Sequence, residues 1–330
     1  MKENFRKERF RNERLRGALL TPSAPIFFIT AVILLTALAA SESFRSPYNL
    51  NNVIIQTAAL GLVSLGQSFA ILAGDVDLCV GGVISIVTVT AALLMKDPPS
   101  SIILTAALGL LIGVAVGVVN GVLTSLIRID AMVTTFASNS VLLGLALWLM
   151  ESPGGSVPYV WMKLPDAKIG FIPVPLLILA AFAAASWFIL DRTAAGFHIR
   201  AVGGGEQSAF TSGVNIMKTK IAAHAAGGFF AALAGLYLSA RMGSGDALSG
   251  VPFSLDSMTA VIAGGTNFST GVGSVLGTTA AAFLITGLGN IFNHMGVSTY
   301  WQYVLKGVLL VIAVTAAALR TRFAERGSGG

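Results

Sequence analysis

Charged side chains are scarce in this 330-residue chain. Asp, Glu, Lys and Arg together make up 11% of it, whereas a soluble domain carries about a quarter. No aqueous fold of this size could hide a 55% hydrophobic composition. With a mean hydropathy of +0.80, the chain reads as an all-α polytopic membrane protein. Cysteine is nearly absent: the single Cys79 excludes an internal disulfide framework, and in its apolar run it reads as an inert buried thiol. The three histidines, His198, His224 and His294, lie far apart, and neither HExxH nor CxxC occurs, so no metal site is expected. The phosphate-binding pattern GxxxxGK[ST] is missing. No nucleophile–base pair and no soluble catalytic domain is visible. The expectation is a non-enzyme that binds no cofactor of its own.

The net charge of +6 does not point to nucleic acid, because the positive residues gather at the ends and in one loop. Residues 1–16 hold seven Lys or Arg against three Glu, and Arg320, Arg322 and Arg326 close the chain. By the positive-inside rule both termini are expected in the cytoplasm. Ala37-Leu38-Ala39 resembles a small-residue cleavage site, but the charged leader is too long for a signal peptide, so this segment is kept as a span. A span needs about 20 apolar residues. Ten candidates follow: 22–40, 52–73, 79–95, 101–126, 131–150, 172–190, 217–240, 253–267, 271–293 and 299–319. The expected organisation is a basic cytoplasmic segment over 1–21, a membrane domain over 22–320 and a cytoplasmic tail over 321–330.

Glycine is plentiful at 37 residues, as expected where helices pack closely in lipid. The most informative stretch is AVIAGGTNFSTGVGSVLG, residues 260–277. An apolar segment breaks at Gly264-Gly265, passes Thr266 and Asn267 without a charge, and resumes from Gly271. Backbone that leaves a helix inside a bilayer must be buried in protein or line a wet cavity, so this break is a candidate for a solute path. An echo lies upstream: AILAG at 70–74 against AVIAG at 260–264, each followed by a glycine seven positions on, Gly81 and Gly271. Paired interruptions of this kind are a feature of transporters.

Few polar residues fall inside the spans. Asp75 and Asp77, in AGDVDLCVGG, are costly in a membrane and so are candidates for function. They suit three roles: ligands for sugar hydroxyls or a cation, caps for the following helix, or a solvated turn. Their spacing of two does not favour a shared metal. Asn120 lies among Gly113, Gly117 and Gly121, a small-xxx-small face, and could bond across helices or touch a solute. Thr134, Thr135 and Ser138, with Asn139 and Ser140, form a polar patch on the next span. Asn290, Asn293 and His294 close the ninth span. The inner loop from 191 to 219 contains Gly203, Gly204, Gly205 and Glu206, then Gln207, Ser208, Ala209, Phe210, Thr211 and Ser212, then Gly213. This reads as a short helix with glycine at its ends, presented to a partner protein.

Several stretches resemble the permease subunits of bacterial ABC sugar importers, the ribose/xylose/galactose permease family. They are LDSMTAVIAGGTNFSTGVGSVLG (255–277), GVSTYWQYVLKGVLLVIAV (296–314), AGDVDLCVGG (73–82), GVVNGVLTSLIRIDAMVTT (117–135) and AVGGGEQSAFTSGVN (201–215). Asp75, Cys79, Phe197 and Gly205 depart from that family's usual residues. The resemblance implies a type II importer-like bundle in a bacterial inner membrane. It further implies a second permease chain, as homodimer or paralogous heterodimer, two cytoplasmic ABC ATPase subunits that contact 203–213 and use the ATP, and a periplasmic sugar-binding protein. An ion-coupled secondary transporter using Asp75 and Asp77 is the competing expectation.

Overall fold

The structure is a computed structural model that describes residues 26, 30, 42–267, 270–308, 310, 311 and 315. Nearly all of the expected first span, both charged tails and most of the tenth span's second half lie outside the described residues.

The chain is a helical bundle. A single turn, α1 (Glu42–Arg45), leads into α2 (Pro47–Leu72), and a short break separates α2 from α3 (Val80–Leu94). Two long helices follow, α4 (Pro99–Ser125) and α5 (Ala131–Leu149). A loop then carries the short α6 (Tyr159–Met162) and a two-stranded hairpin of β1 (Lys168–Ile169) and β2 (Ile172–Pro173), in which Ile169 faces Ile172. Next come α7 (Val174–Arg192), two short helices α8 (Ala194–Gly204) and α9 (Glu206–Thr211), and the long α10 (Ile216–Met242). The chain continues with α11 (Val251–Ala263), a second break and α12 (Val275–His294); residues 299–308 are helical again.

Local chemistry sets these ends. Proline enters the first turn of α2, α4, α7 and α11, where its missing N–H costs nothing. Side-chain caps hold other starts: Asp130 accepts from Met132 N at 2.9 Å, Asn215 from Lys218 N at 2.9 Å and Ser274 from Gly277 N at 3.1 Å. Each satisfies an amide that the helix itself leaves open.

Six helices, α2, α4, α5, α7, α10 and α12, are long and apolar enough to cross a membrane. Eight of the ten expected spans are thus present as helices, two of them short. α3 has 15 residues and α11 has 13. At 1.5 Å per residue they reach about 22 and 20 Å, less than the roughly 30 Å of a hydrocarbon core. Neither is long enough to cross such a core by itself.

α2, α3 and α10 form the centre. Every residue of α3 from Val80 to Ala92 is buried. α4 lies directly on α10, backbone to backbone: a Cβ on Gly113 would stand 2.3 Å from Gly228 O, and one on Gly117 2.2 Å from His224 O. The small-xxx-small face expected on α4 is this contact. α4 and α5 turn large apolar side chains outward, among them Ile103, Leu111, Phe136, Val141 and Trp148, which suits contact with lipid or another chain. At the end of α10 that carries Met242, the loop after α5 is pinned to the bundle: Gly154 and Gly245 exchange bonds of 3.0 and 2.8 Å, and Trp161 Nε1 donates to Ser239 Oγ at 3.1 Å. α8 and α9 sit at the opposite end.

Candidate functional site: two helix breaks and the short helix between them

Both breaks are made by the same turn. At the end of α2, Gly74 N donates to Ile71 O at 3.1 Å and Asp75 N to Ala70 O at 3.0 Å. At the end of α11, Gly265 N donates to Ile262 O at 3.0 Å and Thr266 N to Val261 O at 3.2 Å. These are paired Schellman bonds, which need a residue with positive φ; φ is 90° at Gly74 and 91° at Gly265. The echo in the sequence is therefore real but shifted by one. It pairs Gly74 with Gly264, whereas the structural equivalent is Gly265. Gly264 keeps right-handed backbone at φ −65°, and its bare Cα is needed elsewhere: a Cβ there would lie 2.5 Å from Thr278 N.

The C-terminal end of α8 touches both breaks. A Cβ on Gly203 would stand 2.0 Å from Leu72 O and 3.1 Å from Gly74 N. A Cβ on Gly271 would stand 2.1 Å from Arg200 O and 3.0 Å from Gly204 N. Arg200 adds side-chain bonds to the second break, from Nη1 to Gly271 O at 3.4 Å and to Gly273 O at 3.2 Å, and it pairs with Asp191. The inner loop thus holds two helices, α8 and α9, where one was expected. Gly203 and Gly204 end the first, Gly205 joins them, and Gln207, Ser208, Ala209, Phe210 and Thr211 continue the second, with Ser212 and Gly213 after it.

The first break carries a buried charged cluster. Lys220 Nζ lies 2.8 Å from Asp75 Oδ1 and 2.6 Å from Glu206 Oε1. The other oxygen of Asp75 is 3.1 Å from His224 Nε2. A carboxylate only accepts, so this nitrogen carries the proton. His224 Nδ1 has no hydrogen-bond partner among the described residues and faces Asp77 Oδ2 at 3.7 Å. Asp77 Oδ1 accepts from Cys79 N at 2.8 Å, the residue just ahead of α3, and so caps none of that helix's own amides, which have no side-chain cap. α5 steadies this loop: Thr135 Oγ1 accepts from Leu78 N at 3.1 Å, and Asn139 Oδ1 from Gly82 N at 2.7 Å.

Three other polar candidates meet elsewhere. Asn120 on α4 and Thr134 and Ser138 on α5 line a groove of about 510 Å³ between the two helices. Ser138 Oγ donates to Asn120 Oδ1 at 2.6 Å. Asn120 Nδ2 and Thr134 Oγ1, both buried, have no partner among the described residues. Thr135 does not line this groove. Nor do Asp75 and Asp77, which stay with the first break, while Gly264, Gly265, Thr266 and Asn267 form the second. Asn290 forms a two-way pair with Asn49 at 2.9 and 3.0 Å, joining α12 to α2 at the far end.

The residues least visible beforehand are Lys220 and His224. They stand four apart, on one face of α10, and ionisable groups inside a span were the available signal. Their partner Asp75 is 145 and 149 residues away, so spacing alone does not join them.

Residues 49–314 match the family described as the permease component of branched-chain amino acid transport systems. The chain is similar to the ribose import permease protein of Haemophilus influenzae, 32% identical over 298 residues, covering 88% of this chain and 91% of that one. It is likewise similar to the ribose import permease protein of Bacillus subtilis, 32% identical over 301 residues, covering 89% and 91%. The xylose transport system permease protein of Escherichia coli K12 is 28% identical over 352 residues, covering 87% and 88%. No solved structure matches the chain.

Proposed function

Since the chain belongs to the family of branched-chain amino acid transport system permease components, we propose that it is the membrane permease of an ATP-binding cassette importer for a monosaccharide or polyol, driven by separate ATPase subunits. It is a multi-pass inner-membrane protein. In our reading both termini and the α8–α9 end face the cytoplasm, and a second permease chain, as copy or paralogue, completes the path.

One observation carries the reading: α8, a short helix outside the spans, touches both membrane breaks at once. Movement imposed on it by an ATPase would reach both interruptions together. Solute delivered by a periplasmic binding protein would then meet an altered path. This chain holds no ATP or other cofactor in the scheme; it converts a partner's motion into a change of exposed face.

The family description names amino acids, while the relatives are named for ribose and xylose. The groove between α4 and α5 favours the sugar. A zwitterion would need charged partners, yet the groove's lining has none; its polar groups are Asn120, Thr134 and Ser138, which suit hydroxyls. The ion-coupled alternative is weakened by the cluster itself, because Asp75 is already held by Lys220 and His224.

The test is uptake into proteoliposomes holding the permease, its ATPase and the binding protein. ATP-dependent entry of labelled ribose or xylose, with leucine excluded, is the expected result. Entry of leucine alone would overturn the substrate class, and entry without ATPase would overturn the importer.

A further inference from the structure

The Glu206–Lys220–Asp75 chain joins a surface helix to a turn buried among the spans. Glu206 opens α9, and its side chain is half exposed. Lys220 stands one turn into α10 and is buried, as is Asp75. Asp75 is also a structural part of the first break, since its own N–H closes the turn on Ala70 O at 3.0 Å. A displacement of its carboxylate therefore pulls on the turn. The carboxylate is held on both sides, by Lys220 at 2.8 Å and by His224 at 3.1 Å, so it has little room to yield locally. Taking one partner from a buried ion pair costs more than the intact pair contributes. The Lys220–Asp75 link therefore moves as a unit, and the half-exposed Glu206 is the looser end through which α9 acts on it.

We propose that Lys220 is a positioning residue that ties α9 to the first break, so that motion imposed on α9 is delivered to Asp75. This rests on the importer reading given above. It assigns the first break a charged link of its own, in addition to the backbone seat of Gly203 on Leu72.

The decisive readout is sugar taken up per ATP hydrolysed, in proteoliposomes of permease, ATPase and binding protein. If wild type shows no ATP-driven uptake, the importer reading fails, and it fails independently of the link. With wild type active, the variant to compare is the charge-free double, Asp75→Asn with Lys220→Met. It removes the pair without leaving a lone buried charge. A fall of about tenfold in the ratio, within the usual range for coupling between sites, supports the link. A wild-type ratio overturns it, because the pair would then only neutralise two charges. Should the double variant fail to accumulate in membranes, Glu206→Gln at the exposed end decides. A ratio lowered by about fivefold supports the link. A wild-type ratio, or loss of ATPase association in place of a lowered ratio, overturns it.

Discussion

The two breaks share a turn but differ in what secures them. At the first, charge does the holding: Asp75 sits between Lys220 and His224, and Glu206 extends the chain outward. At the second, backbone carbonyls of Gly271 and Gly273 accept from Arg200, and Thr266 is the buried polar group at the turn. A positive-φ glycine solves the same problem twice, stopping a helix with its last carbonyls satisfied. The neighbours then decide how each turn connects to α8. The lesson is that equivalent backbone in the two parts of a transporter need not carry equivalent chemistry.

The largest effect is expected from Gly265→Leu. A leucine at φ 91° meets the steric penalty of left-handed backbone, about 1–2 kcal/mol, at a turn that α8 rests beside. Uptake should vanish while the protein remains in the membrane. Transport at the wild-type rate would mean that the second break is not part of the moving machinery.

Arg200→Met comes next. It removes the donors to Gly271 and Gly273, and each bond of this kind contributes about 1–2 kcal/mol. The thermal midpoint in detergent should fall and uptake should drop. Arg200→Lys should recover little of it, because the guanidinium meets these carbonyls, Leu190 O and Asp191 at once through separate nitrogens, which one ammonium cannot do. Full recovery by lysine would show that charge alone matters at this break, erasing its contrast with the first.

Asn120→Leu tests the groove. It leaves Ser138 Oγ without its acceptor and removes the unpartnered amide. The sugar concentration for half-maximal uptake should rise about tenfold, equivalent to losing one good hydrogen bond, with ATPase association unaffected. An unchanged value would take the groove out of the path.

The smallest effect is expected from Asn49→Ala, at the end far from α8. Pairs of this kind in membrane helices are worth about 0.6 kcal/mol on average. A slight loss of stability with uptake intact would mark that end as a static frame. A loss of uptake would spread the moving parts across the whole bundle.

Much of this was legible beforehand, and the exceptions have physical reasons. Hydropathy located the helices because lipid forces every span to be apolar. The glycine face of α4 was readable because close backbone approach admits few residue types. Asn120 was visible as a cross-helix bond, since a lone amide in a span needs a partner, though its partner Ser138 lies on another helix. The echo of the breaks was misplaced by one residue, because Gly264 and Gly265 look alike in sequence and only φ separates the packing glycine from the turning one. Lys220 and His224 stayed hidden as partners of Asp75 because an ion pair between distant segments leaves no local pattern.

The most direct test of the account is a tether between α8 and the second break. A Cβ on Gly204 would lie 3.4 Å from the backbone oxygen of Thr270, so Gly204→Cys with Thr270→Cys places cysteines on two touching backbone segments, and the native Cys79 is buried out of reach. If α8 and the break travel as one body, oxidising this pair in the reconstituted transporter will leave ATP-driven sugar uptake in place. Uptake that stops on oxidation and returns on reduction would show the two parts sliding past each other, and would contradict the account.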